Sequence, residues 1–321
     1  MSESRRKTAD LPLAVWPCAQ TTSQYQRRGR YLAESARHPG KMIPELARRA
    51  ILAYSDPGDL VVDPMCGAGT TLVEAIHLER HALGVELEAR WAALAVANIA
   101  LAREQGASGK AGVIEGDARE LPHLLVRKAR SLLAPPNADV RCLPCGSVDL
   151  ILTSPPYSCE VGEISKKAWG QGRNLCPPDT RNYSTDRANL GHARGDDYRA
   201  AMAQIYAACA AVLKPGGFLI AVTKDLRERG GLRDLAGDTI ALCRAAGLQY
   251  WQHVIALLAA IRDGELIPYP SFFQLTQTRK AVARRERTHL VVHEDVLVFR
   301  KPEATPAARS FPRPAEERRA A

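Results

Sequence analysis

The stretch Leu60-Val61-Val62-Asp63-Pro64-Met65-Cys66-Gly67-Ala68-Gly69-Thr70-Thr71 decides the fold. Its first four residues are typical of a short buried strand that ends in an acid. Gly67 and Gly69 let the backbone pass close to a ligand, because neither residue carries a Cβ atom. The helix that follows would direct its N-terminal N–H groups at that ligand. Strand, glycine turn and helix in this order predict the first unit of an open α/β sheet.

Two further strands also end in an acid. Residues 81–86 end at Glu86, 23 residues after Asp63, and residues 111–118 carry Asp117 near their end. An acid at the end of the second strand is suited to accept hydrogen bonds from ribose hydroxyls. Each acid alone would be read as a solvated loop carboxylate. Their recurrence at the ends of successive strands predicts a nucleoside-binding rim.

The apolar run 148–152 is followed by Thr153-Ser154-Pro155-Pro156-Tyr157. The run predicts a buried strand, and two prolines cannot continue a strand ladder, so we expect the strand to stop at Ser154. The result is a short, stiff turn that carries a hydroxyl and an aromatic ring. In open α/β sheets, ligands bind at this carboxyl end of the strands.

The remainder of the chain is predicted to be one enlarged catalytic domain with flexible ends. We expect helices near 44–54, 89–103, 198–213 and 232–246, and strands near 218–222, 249–258 and 296–299. The predicted divisions are a basic, flexible arm at 1–30, the catalytic domain at 31–300 with nucleic-acid-recognition insertions at 158–197 and 262–288, and a disordered tail at 301–321.

Composition restricts the class of protein. With 46% hydrophobic and 25% charged residues, the chain has the balance of a soluble globular protein. No apolar run approaches the roughly 20 residues that span a bilayer, and the first ten residues lack a signal-peptide core. We therefore expect a cytoplasmic protein. The net charge of +9 favours a polyanionic partner, although charge that only maintains solubility is the alternative.

The eight cysteines do not predict a disulfide framework, because the chain shows no secretory signal. Cys142 and Cys145 form one C-x-x-C pair, and Cys159 and Cys176 follow. We expect no metal site, because there is no second C-x-x-C and a predicted strand separates the pairs. Metal binding by Cys142 and Cys145 stays the open alternative.

Four segments together resemble the amino-directed S-adenosylmethionine-dependent DNA methyltransferases. The glycine turn at 63–71 and the proline turn at 153–157 are similar to the two signature motifs of that family. The segment His38-Pro39-Gly40-Lys41 resembles its N-terminal cofactor-binding motif, and 293–299 resembles its closing strand. The resemblance covers about residues 38–300. It implies a Rossmann-like class I methyltransferase fold with a mostly parallel, seven-stranded sheet and helices on both faces.

The resemblance also implies residue roles and S-adenosyl-L-methionine as the cofactor. Glu86 would bind the ribose hydroxyls, and Asp117 would bind the adenine amino group. The implied cofactor-binding residues are His38, Lys41, Asp63, Pro64, Met65, Cys66, Gly67, Gly69, Thr70, Thr71, Glu86, Asp117 and Thr153. The implied catalytic residues are Ser154, Pro155, Pro156 and Tyr157. Serine in the first position of the proline turn is associated with transfer to cytosine N4, whereas Asp or Asn is associated with adenine N6.

The chemistry of the proline turn suits an exocyclic amine, whose lone pair is delocalised into the base ring. The Ser154 hydroxyl and the Pro155 carbonyl could each accept an N–H of that amine and localise the lone pair, while Tyr157 stacks on the base. The target base of double-stranded DNA must then be flipped out of the duplex. Candidate nucleic-acid-binding residues are Arg173, Arg279, Lys280, Arg284 and Arg285.

The leading hypothesis is therefore a site-specific cytosine-N4 DNA methyltransferase. The alternatives are transfer to adenine N6 or to an amine of RNA, and an inactive nucleic-acid-binding protein with the same fold. A cognate restriction endonuclease is a candidate partner. The sequence leaves open the recognition sequence and the choice between monomer and dimer.

Overall fold

The computed structural model describes residues 11–38, 40–133, 146–156, 189–193, 195–228, 231–270 and 272–303. The strands of this part of the chain are β1 (Val15–Pro17), β2 (Leu60–Asp63), β3 (His81–Glu86), β4 (Ala111–Glu115), β5 (Val148–Thr153), β6 (Leu213–Thr223), β7 (Leu226–Glu228), β8 (Gly231–Arg233), β9 (Gln249–Leu257), β10 (Ala259–Arg262), β11 (Glu265–Pro268) and β12 (His293–Arg300). The α-helices are α1 (Ser23–Arg27), α2 (Pro44–Tyr54), α3 (Thr70–His77), α4 (Ala89–Glu104), α5 (Leu121–Leu133), α6 (Gly195–Val212), α7 (Leu235–Ala245) and α8 (Phe272–Ala283).

A mostly parallel sheet of eight strands forms the centre, in the order β1-β9-β12-β6-β5-β2-β3-β4. Only β12 runs antiparallel to its neighbours within this sheet. The predicted Rossmann-like fold is confirmed, but the prediction of seven strands is short by one. The additional strand is β1, whose residues 15–17 pair in parallel with residues 255–257 of β9.

Helices cover both faces of the sheet, because neighbouring apolar residues of each strand point to opposite sides. Val61 and Leu150 pack in the core with α2, α3 and α4, whereas Val62 and Ile151 pack in the core with α5, α6 and α7. Strands buried on both faces read as continuous apolar runs, which is why β2 and β5 were recognisable in the sequence.

The N-terminal segment corrects one prediction. Residues 11–30 are not a flexible basic arm, because β1 joins the sheet and α1 packs against the catalytic core. The Arg27 side chain is buried and donates to the Met42 carbonyl at 2.6 Å and to Thr70 Oγ1 at 3.0 Å. Arg30 donates to both carboxylate oxygens of Glu74, at 2.7 and 2.6 Å. Two basic residues of the predicted flexible arm therefore bind the start of α3, Glu74 within it and the Met42 carbonyl.

The structure describes most of one predicted insertion, 262–288, but little of the other, 158–197. Residues 262–288 include the end of the β10–β11 hairpin and the whole of α8. Most of 158–197 and of the tail 301–321 lies outside the described residues, as do Cys142, Cys145, Cys159 and Cys176. Among the helices that are described, none is both long and apolar enough to cross a membrane.

Candidate active site

The candidate site lies where the chain changes direction across the sheet. From β2 the chain proceeds outward through β3 and β4, and it then returns to the other side of β2 as β5. The carboxyl ends of β2 and β5 therefore flank the crevice in which open α/β sheets bind ligands. One cavity at this place contains both predicted motifs. Its lining includes the predicted residues His38, Lys41, Asp63, Pro64, Met65, Cys66, Gly67, Thr70, Thr71, Glu86, Asp117, Ser154, Pro155 and Pro156.

The two glycines of the turn have different roles. Both adopt positive φ angles, +52° at Gly67 and +82° at Gly69. A Cβ atom on Gly67 would lie 2.8 Å from His38 Nε2, so this glycine lets the histidine ring rest on the turn. A Cβ atom on Gly69 would lie 3.0 Å from the Cβ of Ala95 in α4. Gly69 therefore packs against a helix, and neither it nor Thr153 lines the cavity.

Asp63 is a buried carboxylate at the end of β2. It accepts hydrogen bonds from the Met65 N–H at 3.1 Å and from Thr71 Oγ1 at 2.6 Å. Burial raises the pKa of Asp63 from 3.8 to about 6, because the hydrogen bonds only partly offset the loss of solvent around the charge. The site thus contains a desolvated negative charge, which suits a cationic ligand.

Glu86 holds the glycine turn from the neighbouring strand. Its Oε2 accepts the Gly67 N–H at 2.8 Å, and its Oε1 accepts the Glu88 N–H at 3.0 Å. Burial raises the pKa of Glu86 even though both hydrogen bonds oppose the shift. Each carboxylate oxygen can accept more than one hydrogen bond, so capacity remains for hydroxyl groups of a ligand.

The Asp117 carboxylate is already paired with an arginine, which the sequence did not predict. Arg119 Nε lies 2.9 Å from each of its carboxylate oxygens, and the Arg119 guanidinium also forms an ion pair with it. Burial alone would raise the pKa of Asp117, but Arg119 outweighs that effect and the pKa is lowered. Arg119 itself lines the cavity. A ligand amine at Asp117 would therefore share the carboxylate with this arginine.

The proline turn begins where β5 ends, at Thr153, one residue before the predicted stop. Ser154 and Pro156 are half-buried and Pro155 is buried. The hydroxyl of Tyr198, in α6, donates to the Pro156 carbonyl at 3.1 Å and so fixes the turn from the neighbouring helix. Tyr157, the predicted stacking residue, lies outside the described residues, as does Arg173.

Several lining residues were not predicted from the sequence. Trp91 in α4 has a buried indole Nε1 for which the described residues provide no partner, and its ring meets that of His38 at a centroid distance of 4.7 Å. The other unpredicted lining residues are Gly40, Met42, Ala68, Leu87, Glu88, Gly116, Ala118, Arg119, Asn189, Leu190, Ile205 and Glu294.

The four nucleic-acid-binding candidates that the structure describes lie away from the cavity lining. Arg279 and Lys280 are exposed on α8, and Arg284 and Arg285 are exposed directly after it. Arg284 forms an exposed ion pair with Glu286 at 2.6 Å. Within the residues that the structure describes, no group of His, Cys, Asp and Glu could hold a metal ion.

The fold is Rossmann-like, and the cavity lies at the carboxyl ends of its central strands. Comparison with known proteins supports the family: residues 2–97 match the N6_N4_Mtase family model, which is described as DNA methylase. This match confirms the resemblance to the amino-directed methyltransferases.

The curated relatives include two that match parts of the chain. One is the tRNA (guanine(10)-N2)-dimethyltransferase of Methanocaldococcus jannaschii, which is 32% identical over 133 residues, or 40% of this chain and 33% of the relative. The other is the DNA adenine methyltransferase YhdJ of Escherichia coli, which is 36% identical over 87 residues, or 27% of this chain and 30% of the relative. The chain spans about a third of the length of these relatives.

Among solved structures, TrmN from Thermus thermophilus aligns with a TM-score of 0.45 at 18% identity, over 86% of this chain and 53% of that protein.

The cavity fits S-adenosyl-L-methionine, the cofactor that the family match indicates. This molecule combines a cationic methionine end with a ribose and an adenine. Asp63 offers a negative charge that no cationic side chain neutralises in the described part of the chain, and Glu86 offers acceptors for hydroxyl groups.

Proposed function

We propose that the protein transfers a methyl group from S-adenosyl-L-methionine to the N4 amine of cytosine in double-stranded DNA. The observation that carries the proposal is that the Ser154–Pro156 turn lines the same cavity as Asp63 and Glu86. The donor and the acceptor of the methyl group can therefore meet in one cavity. S-adenosylmethionine, when bound, supplies an activated methyl group on a cationic sulfur.

The cofactor-binding residues would act along the ends of three strands. Asp63 faces the cationic methionine part, with Met65, Gly67 and Thr70 beside it. Glu86 accepts hydrogen bonds from the ribose hydroxyls.

Asp117 accepts a hydrogen bond from the adenine amino group, which shares the carboxylate with Arg119. His38 and Lys41 close this side of the cavity, where His38 rests on the glycine turn.

The proline turn would prepare the acceptor amine. The Ser154 hydroxyl and the Pro155 carbonyl each accept one N–H, which localises the nitrogen lone pair toward the methyl group. Proline fixes its own φ angle, and Tyr198 holds the following carbonyl, so the turn does not reorganise during the reaction. Tyr157 stacks on the flipped base, and the exposed basic residues around α8 contact phosphates.

Two observations keep a second candidate. The curated relatives act, by their names, on guanine N2 of tRNA, which is an exocyclic amine, and on adenine of DNA. Transfer to adenine N6 or to an RNA amine is therefore the second candidate. An inactive binding protein is disfavoured, because Asp63, Glu86 and Ser154 are all present in one cavity.

Label transfer identifies the substrate. The protein is incubated with methyl-labelled donor and either plasmid DNA or tRNA, and the product is digested to nucleosides. We expect label in N4-methyldeoxycytidine. Label in N6-methyldeoxyadenosine, or in tRNA alone, would select the second candidate and refute the first.

The S154A variant tests the proposed role of the turn. It should lower kcat on the order of 100-fold, as loss of one preorganised hydrogen-bonding group does in other enzymes. Cofactor affinity should be unchanged, and S154T, which keeps the hydroxyl, should retain more activity than S154A. Equal activities of S154A and wild type would exclude the hydroxyl from the reaction.

A further inference from the structure

Two neighbouring threonines at the start of α3 form hydrogen bonds of opposite direction. Thr71 donates its hydroxyl proton to the Asp63 carboxylate, with Oγ1 and Oδ2 2.6 Å apart. Thr70 instead accepts a hydrogen bond from Arg27, whose Nη2 lies 3.0 Å from Thr70 Oγ1. Both threonines are buried and both line the cavity. The first turn of α3 therefore has a carboxylate beside one threonine and a guanidinium beside the other.

The contact with Arg27 determines how the Thr70 hydroxyl can act toward a ligand. A guanidinium only donates hydrogen bonds, so Thr70 Oγ1 is the acceptor in this contact. The hydroxyl proton of Thr70 is then left to donate, and no described residue accepts it. Because Thr70 lines the cavity, the acceptor that this proton lacks can be supplied by a ligand there.

Arg27 is a buried cation with no acidic side chain within ion-pair distance in the described part of the chain. Its Nη2 donates to neutral acceptors, among them the Met42 carbonyl at 2.6 Å, and its guanidinium carbon lies 4.8 Å from the centre of the Tyr31 ring. Burial lowers the pKa of Arg27, and the charge of Glu74 offsets this shift only in part. Glu74 is itself ion-paired with Arg30 at 2.6 Å. The positive charge of Arg27 therefore lacks a counter-charge of its own.

One group of the cofactor, the methionine carboxylate, has no partner among Asp63, Glu86 and Asp117. Those three acids would repel it. A carboxylate only accepts hydrogen bonds, so it matches the hydroxyl proton of Thr70, and an anion is also favoured at the N-terminus of α3. The charge of Arg27, one hydrogen bond away from Thr70, favours an anion at the same place.

We propose that Arg27 is a positioning residue for the carboxylate of the cofactor and that it acts through Thr70. Arg27 holds Thr70 Oγ1 so that the hydroxyl proton is donated to the carboxylate, and its charge stabilises that anion. Asp63 and Arg27 thereby recognise the two charges of one zwitterion, each beside its own threonine. The inference rests on the cofactor of the proposed function and is independent of the target base.

Two donors that differ only in the carboxylate test this role. S-adenosylmethionine and its decarboxylated form share the nucleoside, the sulfonium and the amine, and calorimetry measures the affinity of each for the full chain. We expect R27M and T70V each to weaken binding of S-adenosylmethionine about tenfold or more, the effect of one lost hydrogen bond to a charged group. Their affinities for the decarboxylated form should stay within about twofold of wild type. R27K, which retains the cation, should recover part of the lost affinity.

R80M is the matched control for removal of a buried guanidinium. Arg80 is also buried and also donates to uncharged acceptors, in Ser55 and Leu78, but it follows the C-terminal end of α3. R80M should leave the affinities for both donors within about twofold of wild type. Equal losses for both donors in R27M and T70V would mean that Arg27 and Thr70 only support the fold, which would overturn the proposal. T70V retains Arg27, so the hydroxyl is tested even if R27M does not fold.

The results distinguish this inference from the proposed function. If wild type labels cytosine in DNA and the variants lose affinity for both donors equally, only the role of Arg27 is refuted. If wild type labels no nucleic acid but the variants show the carboxylate-specific loss, the proposed function is refuted and the role of Arg27 is supported. A wild-type protein that binds neither donor would overturn both.

Discussion

The substitution D63N tests whether the buried negative charge of Asp63 lowers the free energy of unfolding of the protein. Burial raises the pKa of Asp63 from 3.8 to about 6, a shift of about two units. Each unit corresponds to about 1.4 kcal/mol. Ionisation of Asp63 therefore lowers the free energy of unfolding of the cofactor-free protein by about 3 kcal/mol at neutral pH, relative to the protein with Asp63 protonated. The sign follows from the raised pKa in the folded state. The contribution of protonated Asp63 to the free energy of unfolding is fully present below pH 3.8, and it is lost as the pH rises through about 6.

The local geometry allows the amide to replace the carboxylate. In D63N the remaining oxygen can accept the Met65 N–H, and the amide NH2 can donate to Thr71 Oγ1, because a hydroxyl also accepts. We therefore expect D63N to be about 2 kcal/mol more stable than wild type at pH 7.5, since the neutral hydrogen bonds return slightly less than the charged ones. Near pH 4 the difference should approach zero.

Urea unfolding of the cofactor-free protein at pH 4.5, 6.0 and 7.5 measures this difference. D56N is the control, because Asp56 is exposed, and its unfolding free energy should follow wild type at every pH. A D63N protein that is less stable than wild type at pH 7.5, or a difference that does not change with pH, would refute the reasoning. Calorimetry should also show weaker cofactor binding by D63N at pH 7.5, because the charge that faces the cation is absent.

Three further predictions concern the frame of the site. E86Q should weaken cofactor binding at least tenfold. The amide NH2 of Gln would replace one of the two carboxylate oxygens that accept the Gly67 and Glu88 N–H groups. Equal cofactor affinities of E86Q and wild type, measured by calorimetry, would contradict this. G69A should lower the free energy of unfolding by about 1–3 kcal/mol, because the added Cβ combines a positive φ angle with a 3.0 Å contact to Ala95, and urea unfolding measures the change. E74Q should destabilise the fold by about 1–3 kcal/mol, because the Arg30 guanidinium loses its charge partner but remains 32% exposed to solvent. R30M/E74Q should recover part of that loss in the same assay.

The local patterns of the sequence predicted the frame of the site. Strands β2 and β3 begin and end where the apolar runs and their terminal acids indicated, and α2 has the predicted bounds. These elements are recognisable because burial on both faces imposes an apolar run, and because proline and glycine interrupt it. The strand ends then place Asp63, Glu86 and Ser154 at one edge without knowledge of distant contacts.

The missed features depend on contacts between distant parts of the chain. The strand β1 has three residues, ends in proline, and forms only because the edge of β9 is free to pair. Arg27 and Arg30 looked like solvated charges, since the sequence does not show that Glu74 and the Met42 carbonyl would face them. Basic residues near a terminus are more often exposed, so local composition favoured the wrong assignment.

Two buried carboxylates, Glu74 and Asp63, differ in whether a cationic side chain is paired with them. This difference distinguishes a carboxylate that stabilises the fold from one that is available to a ligand. Glu74 is 1% exposed, and its charge is matched within the protein by two hydrogen bonds from Arg30 and one from the Tyr31 hydroxyl. Asp63 is 4% exposed, yet its described partners are neutral donors. A carboxylate that is paired with an arginine attracts a second cation only weakly. A carboxylate whose hydrogen-bond donors are all neutral retains its full negative charge and its attraction for a cation. The N-terminal segment therefore stabilises α3 through one carboxylate, while the other, at the end of β2, stays available for the cationic cofactor.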